Sequence, residues 1–385
     1  TVEQLKSGEM THKLQAGRTD YFWGQTLVKD NEPLLTNETA KHVCKVDFTH
    51  NGNVVVTRYT NVDCTVILPT VQEIIGKDYN AHHYYSKPIF ANDFNSSTAV
   101  TADKQVAITL TEKDYYEIAS SKDWEVFCEI VCNGQTDLDV KMTADVDLAY
   151  KINMVGGCYP YSGTFDGQGH MLTINWNVNS DEPAVPFEKV GNTTIKNLHV
   201  KGEIKSKGGD LTGLINEVYG TTTISGCIIE VNLKAKSRLA GMVCWVGAAA
   251  KLTITDCIVK GDFTATKKGG KISGFVCLQY GNCTLNNCLY LGTNNADNNE
   301  SYTFAGDNTE VKNCYYLNAC GKAQGEQVTA EQLKSGEVTK KLQGDRTENV
   351  WGQTLGTDLE PLPTTDATKR VYQVKFTYNG EVKAT

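Results

Sequence analysis

The chain has 385 residues, 40% of them hydrophobic and 21% charged. It can therefore bury a substantial core over two or three domains and does not have the composition of a disordered polymer. A net charge of −8, with only five arginines against 32 lysines, argues against nucleic acid as the main partner and offers few bidentate clamps. No apolar run approaches the roughly 20 residues that span a bilayer, so no membrane insertion is expected.

The thirteen cysteines cannot all pair, because their number is odd. Thr1 opens the chain with neither Met nor signal peptide, so a piece of something longer is expected.

Residues 1–41 take their meaning from the other end of the chain. Residues 3–57 align without a gap on 331–385, and 32 of the 55 positions are identical. Glu3-Gln4-Leu5-Lys6-Ser7-Gly8-Glu9 repeats as Glu331 to Glu337, and Trp23-Gly24-Gln25-Thr26-Leu27 repeats as Trp351 to Leu355. The pattern predicts a tandem array whose period is the 328-residue offset, cut out of phase, with a single duplicated cap as the simpler alternative. On this reading 1–41 closes a preceding unit, 321–368 closes the present one, and 369–385 begins the next.

Residues 42–112 read as a small β-rich linker module, Ig-like, sandwich-like or built on a hairpin. Val46-x-Phe48 and Val54-x-Val56 flank Asn51-Gly52, the signal for a tight hairpin turn. Val66-x-Leu68, Tyr84-Tyr85 and Val106-x-Ile108-x-Leu110 predict further strands, and Val71 to Gly76 a short helix. His82-His83 reads as a solvated loop pair rather than a metal site.

Residues 113–320 carry a second, shorter repeat. Ser120 to Asp123 starts an amphipathic helix with Trp124, Phe127, Ile130 and Val131 on one side and Asn133-Gly134 as its stop. Placed over the end of a stack of strands, it would cover exposed core and open edges. From 194 onward, Thr-Ile-Lys-Asn-Leu, Thr-Ile-Ser-Gly-Cys, Thr-Ile-Thr-Asp-Cys, Thr-Leu-Asn-Asn-Cys and Glu-Val-Lys-Asn-Cys follow one another, with apolar positions 29, 30, 31 and 26 residues apart. Gly213-Leu214-Ile215, Gly241-Met242-Val243 and Gly274-Phe275-Val276 keep step.

Short alternating runs that turn on Gly or Asn and cannot bury a face alone must stack. They predict an all-β, right-handed parallel β-helix with a short capping helix. The recurring Asn197, Gly226, Asp256, Asn287 and Asn313 suit a left-handed corner in each coil. The following Cys227, Cys257, Cys288 and Cys314 suit an inward ladder of thiols, with Cys244 and Cys277 as a shorter one. No CxxC pair or matching histidines accompany them, so no metal or other cofactor is expected.

The run Lys141 to Leu148, the stretch Gly163-Thr164-Phe165-Asp166-Gly167-x-Gly169-His170, and the Gly-Leu-Ile and Gly-Met-Val coils resemble the GLUG-type β-helix repeats of adhesin-like surface proteins of gut bacteria. Glu331 to Leu362 resembles the closing segment of the same proteins. The resemblance covers about 114–368, plus 1–41 as the closing segment of a unit before. It implies a parallel β-helix on a secreted or cell-surface protein, and says little about ligand. The likeness to multi-copy immunoglobulin-binding proteins is one of architecture.

Two features are predicted to line up from coil to coil. Lys205 and Lys207, then Lys234, Lys236 and Arg238, then Lys267, Lys268 and Lys271 each precede a Gly-apolar mark, so stacking places them on one edge. Such a stripe can steer an acidic ligand or simply keep coils solvated. Tyr219, Trp245 and Tyr280 follow the marks, as a sugar or protein platform or as turn packing.

Polysaccharide-cleaving β-helices need paired carboxylates in one groove. Here Glu203, Asp210, Glu217, Glu230, Asp256 and Asp262 look scattered, and Asp166 and His170 sit in a glycine-rich turn. The expected function is non-enzymatic, multivalent binding of a host glycoprotein, mucin glycan or immunoglobulin outside the cell. A polysaccharide-active enzyme and a structural stalk are the alternatives.

Overall fold

A computed structural model describes residues 1–78, 84–179, 183–297, 299–306, 309–379 and 381–384. The pair His82-His83 lies outside them. The chain divides into two compact units, Thr1–Asp114 and Tyr115–Thr385.

In the first unit, Val2–Lys6 and Glu9–Gln15 are short helices, the first held by a reciprocal box between Thr1 and Gln4. Gln25 ties the segment together. Its amide donates to the carbonyls of Leu5 and Asp30, both at 2.9 Å, and its oxygen accepts from Thr11 at 2.6 Å.

Val43–His50 and Asn53–Asn61 form the expected hairpin, with Asn51 and Gly52 at φ +49° and +80°. Lys104–Thr109 adds in parallel to Val43–His50, and Ile89–Phe90 completes four strands. Tyr84–Tyr85 pairs separately with Glu112–Lys113. Val46, Phe48, Val100, Val106, Ile108 and Ile74, the last from helix Val71–Ile75, make this unit's core. The expected strand at Val66-x-Leu68 is irregular chain instead. Val66 still enters the core, but the Ile67 carbonyl is met by the Arg58 side chain at 3.3 Å rather than by a neighbouring strand.

The second unit opens on helix Ser121–Cys132, capped by Ser120. Its Trp124 and Phe127 meet Phe165, Phe187 and Tyr161 at ring separations of 5.3–6.0 Å, closing the first coil with aromatic surface. Behind it the chain winds into a parallel β-solenoid of about six turns.

One sheet stacks Thr164–Asp166, Thr194–Lys196, Thr221–Ser225, Lys251–Thr255, Asn282–Asn286 and Thr309–Lys312. A second stacks Met171–Val178, His199–Ser206, Ile228–Ala235, Ile258–Lys260, Leu289–Tyr290 and Tyr315–Tyr316. A third runs from Phe187–Gly191 through Ile215–Tyr219 and Val243–Val246 to Val276–Gln279, and a short fourth joins Asp210–Thr212, Arg238–Ala240 and Lys271–Ser273.

The period-two alternation sends Ile195, Ile224, Ile254 and Leu285 inward as one buried ladder. Each coil then turns at a left-handed residue: Asn197, Gly226, Asp256, Asn287 and Asn313 have φ of +52°, +61°, +54°, +53° and +47°. Cys227, Cys257, Cys288 and Cys314 follow as the expected buried ladder. The Gly-apolar mark has a steric cause. A Cβ on Gly213 would stand 2.5 Å from the Gly241 carbonyl oxygen, and one on Gly241 would stand 2.1 Å from that of Gly274. Coils can stack this closely only where the side chain is absent. A disulfide joins Cys132, at the end of the capping helix, to Cys158.

Beyond the coils, helices Ala330–Lys334 and Glu337–Gln343 rebuild the opening segment. They fold back along the side of the solenoid. Outside the second sheet, Ile228, Ile258, Leu289 and Tyr315 form an outward apolar ladder. Leu333, Val338, Leu342 and Trp351 cover it.

Candidate ligand-binding faces

The third sheet buries Ile215 and Val218, Val243 and Val246, and Val276, so the intervening Glu217, Trp245 and Leu278 stand outside in register. Tyr219 ends its strand, and Tyr280 follows the last strand with its N–H on the Val246 carbonyl. The three aromatics the sequence singled out therefore meet on the outer surface. Tyr219 and Trp245 are 5.4 Å apart at an interplanar angle of 67°, and Trp245 and Tyr280 are 6.2 Å apart at 58°. Tyr280 is 64% exposed and Tyr219 38%, so the row is a surface rather than a core feature.

A groove of about 290 Å³ runs beside the row, lined by Asp210, Glu217, Arg238, Trp245, Leu278 and Tyr280 among others. Arg238 Nε donates to Asp210 at 2.6 Å, which raises the guanidinium above its already high value. The Tyr219 hydroxyl donates to Glu217, and that bond, aided by burial, pushes the phenol up to about 12. The sequence left Asp210 and Glu217 as scattered carboxylates, yet the corner at Gly213-Leu214 folds them onto one groove. A signal was present: Asp210, Arg238 and Lys271 each stand three residues before a marked glycine, and the three pair in register.

The lysine edge divides in two. Lys205 stands opposite Lys234, and the Lys236 and Lys267 N–H groups step from coil to coil onto the Gly208 and Lys236 carbonyls. Lys205, Lys207, Lys234 and Lys236 line a shallow groove of about 470 Å³. Lys205 is paired with Glu203 at 2.6 Å. Among the described residues, Lys207, Lys234, Lys236, Lys267 and Lys268 have no carboxylate within 4.0 Å. Arg238 and Lys271 do not join them, because Asp210 and Glu300 hold them on the fourth sheet.

A cleft of about 580 Å³ lies between the solenoid corner at Asn197, His199, Gly226 and Asp256 and the returning segment at Asn349, Val350 and Pro363. His199 shares Glu230 with Lys201 and Lys260, and Lys260 reaches on to Glu360 at 2.7 Å. Arg346 and Trp351 both grip Asp256 here.

Asp166, the carboxylate of the glycine-rich turn, serves that turn. Burial alone would raise it, but the Gln168 N–H, the Asn197 amide and Lys196 hold it below the usual carboxylate range. His170 lies against Asp145 instead. Among the described residues, no three His, Cys, Asp or Glu side chains are placed to hold a metal ion, and no helix is long and apolar enough to cross a membrane.

No family model and no curated protein matches the sequence. Among solved structures, the chain is similar to a putative immunoglobulin A1 protease from Bacteroides ovatus, at 13% identity and a TM-score of 0.41, over 66% of this chain and 93% of that one. At those values the likeness carries no argument about activity. The class is set by the fold itself, a parallel β-solenoid.

Proposed function

We propose that the chain is a non-enzymatic binding module of an extracellular, adhesin-like bacterial tandem-repeat protein, and that it binds host glycans of the mucin type. The observation that carries this reading is the Tyr219, Trp245 and Tyr280 row, open on the outer face of three coils and bordered by Asp210, Glu217 and Arg238. Aromatic faces offer apolar area to the C–H faces of sugar rings, and the adjoining carboxylates and guanidinium offer partners for hydroxyls. One such site is weak. Repeated along an array against a multivalent glycan, it gains roughly 10²-fold or more in avidity.

The test is retention of the full chain on a mucin-glycan array, with host immunoglobulin as a parallel surface. Trp245→Ala is expected to lower glycan retention by roughly tenfold. Retention on immunoglobulin alone, lost in Lys234→Ala/Lys236→Ala, would move the binding to the lysine edge. No retention on either surface at high loading would sink the adhesin reading.

A second reading is a polysaccharide-active enzyme, favoured by Asp210 and Glu217 lining one groove. Reducing-sugar release that is abolished by Glu217→Gln would establish it.

A further inference from the structure

The two copies of the repeated segment fold alike and are covered differently. Thr11 donates to Gln25 at 2.6 Å as Thr339 does to Gln353 at 2.5 Å. Gln15 accepts from the N–H groups of Phe22 and Trp23 as Gln343 does from those of Val350 and Trp351. Thr26 N–H meets Asp30, and Thr354 N–H meets Asp358, both at 2.7 Å. The skeleton is thus preformed in both.

The outer faces differ. Leu342 is 1% exposed and Trp351 fully buried against the solenoid, whereas their counterparts are open: Leu14 is 37% exposed and Trp23 half-buried, with Phe22 at 49% beside them. Arg346 grips Asp256, while its counterpart Arg18 rests over the Phe22 ring at 5.6 Å. Among the positions that pack on the solenoid only two change, Val338 to Met10 and Val350 to Phe22, and both stay apolar, while Glu32 stands where Glu360 reaches Lys260. In a chain with five arginines, two are this pair.

We propose that the face formed by Leu5, Leu14, Phe22, Trp23 and Leu34, with Arg18 at its edge, is a docking surface for a second copy of this sequence. Its occupant is the outward apolar ladder of that copy's β-solenoid, where this segment stands in the place that 331–362 fills here, with Arg18 and Trp23 closing on the aspartate equivalent to Asp256. The segment's other side is already committed within the first unit. Leu27 N–H donates to Asn61 at 2.9 Å, and Asn61 donates to the Gln25 carbonyl at 2.7 Å. The repeated segment is then a two-faced joint between the solenoid of one repeat and the β-module of the next.

The test joins two copies head to tail, residue 330 of the first running directly into Glu3 of the second. A Met10→Leu mark in the first copy separates the two opening segments by mass in hydrogen exchange. The junctional segment 9–34 should exchange at least roughly tenfold more slowly than the free one, and Asp256→Asn in the first copy should remove most of that difference. Equal exchange of the two segments overturns the proposal.

So does a tandem less stable than the single chain, because docking would bury apolar surface at the joint. A second measurement uses one full chain with 331–362 replaced by 3–34. It should melt near the parent and lose stability on Asp256→Asn as the parent does. Insensitivity to that substitution would also overturn the proposal.

Discussion

Arg346 and Asp256, ninety residues apart, form the bond that fastens the returning segment to the solenoid. Nη1 of the guanidinium reaches both carboxylate oxygens, at 2.8 and 2.9 Å, and the Trp351 indole N–H adds a third contact at 2.7 Å. Asp256 is also a corner residue, at φ +54°, in a series otherwise filled by Asn and Gly. Geometry alone would accept Asn there. The charge is explained by the arginine.

Asp256→Asn keeps the left-handed corner, as Asn197 and Asn287 do, and removes only the charge. The loss should cost the latch about 2 kcal/mol, since the charged bond is mostly shielded from water. Hydrogen exchange over 330–362 should accelerate while the ladder at Ile224 and Ile254 stays protected. Unchanged exchange in the variant would show that the apolar contact alone holds the segment.

Gly241→Ala should be among the most damaging single-methyl changes in the chain. The added Cβ would stand 2.1 Å from the Gly274 carbonyl oxygen and 2.4 Å from Val259, between two coils that cannot separate without breaking their ladder. A cost of at least about 3 kcal/mol is expected in denaturant unfolding. Gly269→Ala is the control. Unlike Gly241 it sits at a positive φ, +75°, but an added Cβ meets nothing within 4 Å, so only about 1 kcal/mol should be lost. Equal costs would refute the close-stacking account.

Acid should loosen the solenoid's latched side in two stages. Burial holds His199 below its usual 6.5, despite Glu230 beside it, so the folded state binds fewer protons there than the unfolded chain. That stability is full above about 6.5 and is lost as pH falls through the lower folded value. Burial would raise Glu230, but Lys260, Lys201 and His199 outweigh it and keep it below its usual 4.5, so a second loss follows as pH drops below that. Melting temperatures measured between about pH 7.5 and 5.5 should fall less in His199→Gln than in the parent. Identical slopes would clear His199 of the effect.

Much of this architecture was legible because it is written in short periods. The Ile195 to Leu285 ladder, the Asn and Gly corners, the Cys ladder, the Asn51-Gly52 hairpin and the Ser120-capped helix all follow from the chemistry of a few neighbouring residues. What escaped depends on distant partners. Asp256 looked like any corner residue because its arginine lies ninety positions away. Asp210 and Glu217 looked scattered because a coil corner, not a strand, brings them together. Val66-x-Leu68 alternates like a strand, but its backbone partner is a side chain. The lysines were read as one edge, yet Asp210 and Glu300, which that reading of the basic residues left out, hold Arg238 and Lys271 away from it.

The latch also decides where tension enters the solenoid. A pull on the chain beyond residue 366 does not load the last coil at Tyr315–Tyr316 first. It arrives at Asp256 and Lys260, two coils inward, through Arg346 and Glu360. The Tyr315–Tyr316 coil, followed only by the two-residue strand Glu326–Gln327, is thus shielded from being unzipped, and mechanical lifetime is set by the rate at which the latch peels.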